Sequence, residues 1–297
     1  MRFIFIVLFL VSCGTVGRVA PDDSDRLNEL DSLYQHRLKE ASALAEKSTG
    51  WLTFSDGDTL LWDLGKYGSS PGVTLSPRAS EYEDTGRFGR RPPVGQKRCW
   101  TPEDGDICAA ATWSRDMGVG LITYGVRRND LKLLEDHAGY GENHSWYMGK
   151  PLADGRTIYT PVMVGLLYSA IYGLGGEDSI HRHIPDPWAS GLDDYEAHIQ
   201  MMKILIHSQT SKKSSNVDEI SEKMGERITE HYGREPHSLF YSYLHALYNG
   251  GMSSVVDLCL ADTVTFPGYV RCDSMEKCEL AEWLFACGLV LEEYGLY

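Results

Sequence analysis

Three clusters of polar and aromatic side chains fall within Ala111–Gly176, each where a helical pattern starts or stops. In the first, Trp113, Arg115 and Asp116 precede the apolar run MGVGLITYGV. An adjacent Arg–Asp pair grips vicinal hydroxyls, the carboxylate accepting while the guanidinium donates. Trp113 offers a ring that can stack on the apolar face of a sugar. The competing reading makes Asp116 a helix-dipole partner at an N-terminus, ion-paired to Arg115. The second cluster is GENHSWYMG, with Asn143, His144, Trp146 and Tyr147 between glycines. Amide, imidazole and aromatic groups suit sugar binding, and glycine lets the backbone approach a ligand. A packed interhelical loop is the alternative. Arg156 and Tyr159, ahead of the helix start at Pro161, form the third cluster.

Cleaving a glycosidic bond normally takes two carboxyl groups flanking it, one a proton donor with a raised pKa. The run DDYEAH supplies donor candidates in Asp193, Asp194 and Glu196, with Asp116 as second carboxylate or as a hydroxyl-binding group. Two positions apart on a helix, Glu196 and His198 diverge by about 200°. Asp194 and His198, four apart, share a face, and His198 joins the substrate-binding candidates. Helix capping or plain solvation is the alternative for each carboxylate. His237 stands at a comparable helix start, whereas His181, His183 and His207 read as surface or core histidines. Nothing in the sequence calls for a metal or a cofactor, and neither a nucleophile elbow nor a phosphate-cradling glycine loop is visible.

The elements that must position these groups are mostly helices. Leu27, Leu30, Leu33, Tyr34, Leu38, Ala41 and Leu44 give residues 25–47 one apolar stripe. Residues 51–62 resemble a small hairpin turning at Asp56–Gly57, although residues 60–67 read equally as a short helix. A Gly-, Pro- and Arg-rich loop then runs to residue 97; its basic cluster, Arg87 to Pro93, reads as a solvated surface. Further helices are expected over 192–209, 217–232, 236–248, 253–261 and 277–294. No alternating βαβ pattern is present, which argues against Rossmann and TIM folds.

The segment TWSRDMGVGLITYGVRRNDLKLLEDHAGY resembles the TWxRD helix of glucoamylase-type enzymes, within the six-hairpin (α/α) toroid glycosidases. GKPLADGRTIYTPVMVGLL is similar to that family's next glycine-rich start and helix. The likeness covers about sixty-five residues. It implies that Arg115 and Asp116 hold hydroxyls of the sugar at the cleavage point. The chain departs from the family in three ways: fewer helices than a full toroid, no EE-type acid motif, and no counterpart of the base near the C-terminus. The nearest stand-in for the acid motif is residues 193–198. The expected fold is therefore mainly α, an incomplete (α/α) toroid, with a small β-hairpin or loop region near residues 51–97. The expected function is hydrolysis of a poly- or oligosaccharide by carboxylate acid/base catalysis. A polysaccharide lyase, using Asn143, His144, Arg156 and Tyr159 beside a uronate, is one alternative. A non-catalytic, glycan-binding envelope lipoprotein is the other.

Arg2 and the apolar run FIFIVLFLV describe a signal peptide over residues 1–12. LVSC resembles the bacterial lipobox, which implies lipidation of Cys13, a tether over 13–24, membrane attachment and, by analogy from Gly14, the outer membrane. Residues 25–297 read as one domain. A net charge of −14 argues against nucleic acid as a partner. Beyond Cys13, six cysteines remain, at 99, 108, 259, 272, 278 and 287, enough for three disulfides in an exported protein. Cys99–Cys108 is the favoured pair, bracing the approach to Trp113, and the other four are expected to pair among themselves. No CxxC or CxxH spacing supports zinc.

Overall fold

The computed structural model describes residues 23–52, 60–81, 85–89, 113–148, 159–176, 194–210, 225–230, 232–233, 238–261 and 275–297. The described chain is mainly helical. Its long helices are α1 (Asp23–Leu44), α2 (Arg115–Arg127), α3 (Leu131–Asn143), α4 (Pro161–Gly173), α5 (Asp194–Thr210), α6 (Leu239–Asn249), α7 (Met252–Leu260) and α8 (Met275–Glu293). Helical residues at 225–230 fall inside the expected helix 217–232. α1 begins at Asp23, inside the stretch expected to be tether. The signal peptide, Cys13, Cys99, Cys108, Arg156 and Cys272 lie outside the described residues.

α2 is the centre of the first half. Every residue from Asp116 to Val126 is buried, so no face of this helix meets water. Three glycines in so short a helix cost about 1 kcal/mol each against alanine, and at Gly120 the reason is contact. A Cβ there would stand 2.4 Å from the Leu60 carbonyl oxygen and 2.6 Å from Leu61 Cα. Opposite it, a Cβ on Gly65 would stand 2.8 Å from Gly120 Cα. The segment Leu60–Lys66 thus lies directly on the α2 backbone.

Residues 53–59, with the expected Asp56–Gly57 turn, lie outside the described residues, and of the two readings of residues 60–67 the short helix is the one found. Leu60–Lys66 is a wide helical turn followed by a 3₁₀ turn at Tyr67–Ser69, and the described residues contain no strand; Glu81 and Phe88 form an isolated bridge, and Tyr147 too sits in a bridge. The physical reason is burial on all sides. Leu60, Leu61, Trp62, Asp63, Leu64, Gly65 and Lys66 are all buried, and a helix can bond its own backbone where no strand partner exists. Lys66 is ion-paired with Glu282 of α8, its Nζ 4.3 Å from the centre of the Trp62 ring. Burial holds the Lys66 amine well below its ordinary pKa.

Contacts at the helix ends fix direction. Tyr159, just before α4, packs on Gly118 in the first turns of α2, so the two N-terminal ends adjoin. Gly173 at the end of α4 packs on Thr210 at the end of α5, so these C-terminal ends adjoin. α2, α4 and α5 therefore run in the same sense, with α3 returning between α2 and α4. Side-chain caps mark the starts: Asp130 accepts from Leu133 N–H (3.0 Å), and Thr160 accepts from Met163 N–H ahead of which Pro161 takes the first position.

In the second half α8 is buried from Leu280 to Leu291 and packs on α1, α6 and α7. A disulfide joins Cys259 of α7 to Cys287 of α8, Cα atoms 5.9 Å apart, and Cys278 is disulfide-bonded as well.

Candidate functional site

The N-terminal ends of α2 and α4 and the C-terminal end of α3 meet, and the aromatic side chains of all three are gathered there. At their centre His137 of α3 is fully buried, with Nδ1 2.8 Å from the Gly86 carbonyl and Nε2 2.8 Å from the Tyr159 hydroxyl. A carbonyl can only accept, so Nδ1 carries the proton and Nε2 accepts from the phenol. Burial pulls the imidazole down to about 4, against the weaker opposing effect of the Gly86 bond, and keeps it neutral. Burial also pushes the Tyr159 phenol well above its ordinary value, while the Trp113 indole N–H pulls the other way without reaching hydrogen-bond geometry. Phe88, Trp113 and Tyr159 ring the imidazole at centroid distances of 5.6, 5.1 and 5.5 Å.

From this cluster the chain turns outward. After α3, Ser145 and Trp146 both take left-handed backbone conformations (φ 53° and 64°), which cost a residue with a Cβ about 1 kcal/mol or more. Trp146 N–H donates to the Gly141 carbonyl at 2.7 Å, and the Trp146 carbonyl accepts from Tyr159 N–H at 3.0 Å. The indole lies over Gly141, where a Cβ would come within 2.4 Å of the ring, and stacks on Tyr159 at 14° between planes. His144 stacks on Tyr140 at 4.1 Å and commits Nδ1 to the Tyr140 carbonyl, leaving Nε2 as an acceptor. Asn143 and His144 are exposed, and Tyr147 projects with 53% of its surface in water.

The sequence candidates thus separate into an inner and an outer set. Trp113, 1% exposed, and Tyr159, 3% exposed, offer no open face. Asp116 is buried in the first turn of α2 beside half-buried Arg115, and neither is without a partner. Asn143, His144 and Tyr147 form the outer set, with Trp146 half-buried between the two. The side chains of Asp194, Glu196 and His198 are outside the described residues, as is Arg156; the helical backbone of α5 nevertheless includes positions 194–198. At about 100° per residue, position 196 lies on one 60° arc with Gln200, Lys203 and His207, opposite positions 194 and 198.

Sequence reading passed over His137 and this arc. Gln200, Lys203 and His207 are all buried, His207 completely. Both His207 ring nitrogens lack a hydrogen-bond partner among the described residues. Burial first, then the nearby Lys203 charge, lowers the His207 imidazole to about 4. The signal was available in both places. His137 interrupts the stripe Leu133, Leu134, Ala138, Gly141, and the α5 residues recur at helical spacing. Arg87, read as solvated surface, is half-buried, its guanidinium carbon 5.9 Å from the centre of the Tyr140 ring.

Among the described residues no three His, Cys, Asp or Glu side chains group as metal ligands, and no helix is long and apolar enough to cross a membrane. No family model matches the chain, and no curated protein and no solved structure is significantly similar to it.

Proposed function

We propose that this protein binds a poly- or oligosaccharide through the turn that closes α3. The observation that carries the reading is Tyr147: an aromatic ring 53% exposed, on a turn with two left-handed residues in succession. Exposed aromatic area next to an amide and an imidazole acceptor is the chemistry that takes a sugar, ring against ring face and lone pair against hydroxyl. Two left-handed side-chain-bearing residues in succession are backbone strain of the kind that gathers at ligand sites. Export on a lipidated Cys13 would present this turn to glycan at the cell envelope, and the parallel run of α2, α4 and α5 suits the inner helices of an incomplete (α/α) toroid. The test is binding to an array of neutral and uronic oligosaccharides. The wild type should bind at least one of them, Tyr147→Ala should weaken it about tenfold, and His144→Ala should weaken it less. Equal binding by Tyr147→Ala and wild type sinks the reading.

Glycoside hydrolysis is the second reading, and the α5 arc favours it. The arc brings position 196 into line with buried Gln200 and Lys203, and the N-terminal end of α5 lies towards the end of the bundle where Asp116 stands. Glu196 would donate the proton to the glycosidic oxygen, and Asp116 would either hold hydroxyls with Arg115 or serve as the second carboxylate. Release of new reducing ends by the wild type, abolished in Glu196→Gln, is the expected result. An ultraviolet-absorbing unsaturated product would point to a lyase instead, and binding without turnover to a glycan-binding lipoprotein.

A further inference from the structure

The outer turn is tied to the buried interior by one continuous chain of contacts. The Gly86 carbonyl accepts from His137 Nδ1 (2.8 Å), His137 Nε2 accepts from the Tyr159 hydroxyl (2.8 Å), and Tyr159 N–H donates to the Trp146 carbonyl (3.0 Å). Tyr159 and Trp146 are also stacked, ring centres 6.3 Å apart. Trp146 is the second of the two left-handed residues, and Tyr147 follows it. Side-chain-bearing residues return to right-handed or extended conformations unless their surroundings over-determine them. Here the surroundings are Gly141 beneath the indole, Tyr159 stacked beside it and Tyr168 edge-on, its ring centre 6.0 Å away.

Tyr159 in turn is held by its hydroxyl. Gly118 has no Cβ, and one placed there would come within 2.4 Å of the phenol oxygen. The ring therefore sits against the α2 backbone, its hydroxyl aimed at the one imidazole nitrogen that can accept. His137 is fixed at its other nitrogen by a loop carbonyl and shielded by Phe88 and Trp113. Neither His137 nor Tyr159 has more than 3% of its surface exposed, so neither touches a ligand on the turn.

We propose that His137 and Tyr159 are positioning residues: their mutual hydrogen bond latches the turn 144–147 in the conformation that presents Tyr147 and His144. The proposal deepens the glycan-binding reading and, for its functional arm, rests on it. The latch itself is a property of the chain alone and is tested without ligand.

Amide hydrogen exchange on the full chain reads the latch directly. In Tyr159→Phe, which keeps the ring and its stack and removes only the hydroxyl, the amides of Trp146 and Tyr159 should exchange at least tenfold faster. Tyr34→Phe is the control, because it removes another buried hydroxyl, bonded to the Pro71 carbonyl at 2.9 Å in a different part of the molecule. It should lower the Tm comparably and leave the turn's exchange unchanged, which separates positioning from general loss of stability. His137→Gln is the second variant and should loosen the same two amides.

The ligand arm uses whichever array oligosaccharide the wild type binds best, and Tyr159→Phe should bind it about tenfold more weakly at a temperature where it is fully folded. Unchanged exchange at Trp146 in both latch variants overturns the proposal. So does faster exchange there in Tyr34→Phe to the same degree. A wild type that binds nothing on the array defeats the glycan reading alone, since the exchange result still decides the latch. Faster exchange with unweakened binding overturns the functional half of the proposal, leaving the turn's conformation irrelevant to its ligand.

Discussion

His137 and His207 are the two buried imidazoles of the described chain with strongly lowered affinity for a proton, each at about 4 in the fold. An unfolded histidine titrates near 6.5. Below that pH the unfolded chain takes up protons that the folded chain refuses, so their contribution to stability is complete above about 6.5 and is lost as pH falls towards 4. Each site is worth on the order of 3 kcal/mol across that window. Urea midpoints should therefore stay level from pH 7.5 to about 6.5 and then fall towards pH 4.5. His207→Leu should flatten the fall by about half and raise the midpoint at neutral pH, because it removes a polar ring without a hydrogen-bond partner among the described residues. A midpoint independent of pH over that range would mean that neither ring is held neutral by burial.

The elements are held together by backbone approach, and that gives glycines opposite meanings in neighbouring helices. Gly120→Ala drives a methyl group against the Leu60 carbonyl and Leu61 Cα, both backbone atoms that no rotamer change can move. It should cost roughly 3 kcal/mol, the scale of overpacking in a tight core. At Gly139 in α3 an added Cβ would meet nothing within 4 Å, so Gly139→Ala should stabilise by about 0.5–1 kcal/mol through helix propensity alone. Thermal or urea denaturation of the two variants gives the sign of each, and equal effects would show that Leu60–Lys66 does not lie on α2. The helices themselves were legible in the sequence. The expected segments 192–209, 236–248, 253–261 and 277–294 match α5 to α8 within three residues at every boundary, because apolar periodicity and glycine stops act locally. Leu60–Lys66 was not decided at that level. An apolar run of that length is compatible with a strand or a buried helical turn, and only the α2 backbone lying across it selects the turn.

At the scale of the molecule, the described chain forms one apolar core to which both halves contribute, with the Lys66–Glu282 pair joining the α2 side to α8 and the Cys259–Cys287 bond joining α7 to α8. The sequence by itself determined the mainly helical class, the helix boundaries, and the gathering of polar and aromatic groups at helix ends, since each follows from residues close together along the chain. It also directed attention to cysteines 259–287, where a disulfide is found. It did not determine which member of a cluster faces water. Trp113 and Tyr147 carry the same promise as sugar-stacking rings when read along the chain, yet one is 1% exposed and the other 53%. Exposure is set by what packs on a side chain from other elements. His137 and Tyr159 come from separate segments to pack on Trp113, ring centres 5.1 and 6.0 Å away, while none of the described elements covers Tyr147. For the same reason the latch through His137 was invisible: its two partners, Gly86 and Tyr159, lie 51 and 22 residues away, and only the tertiary structure brings them within reach of one ring.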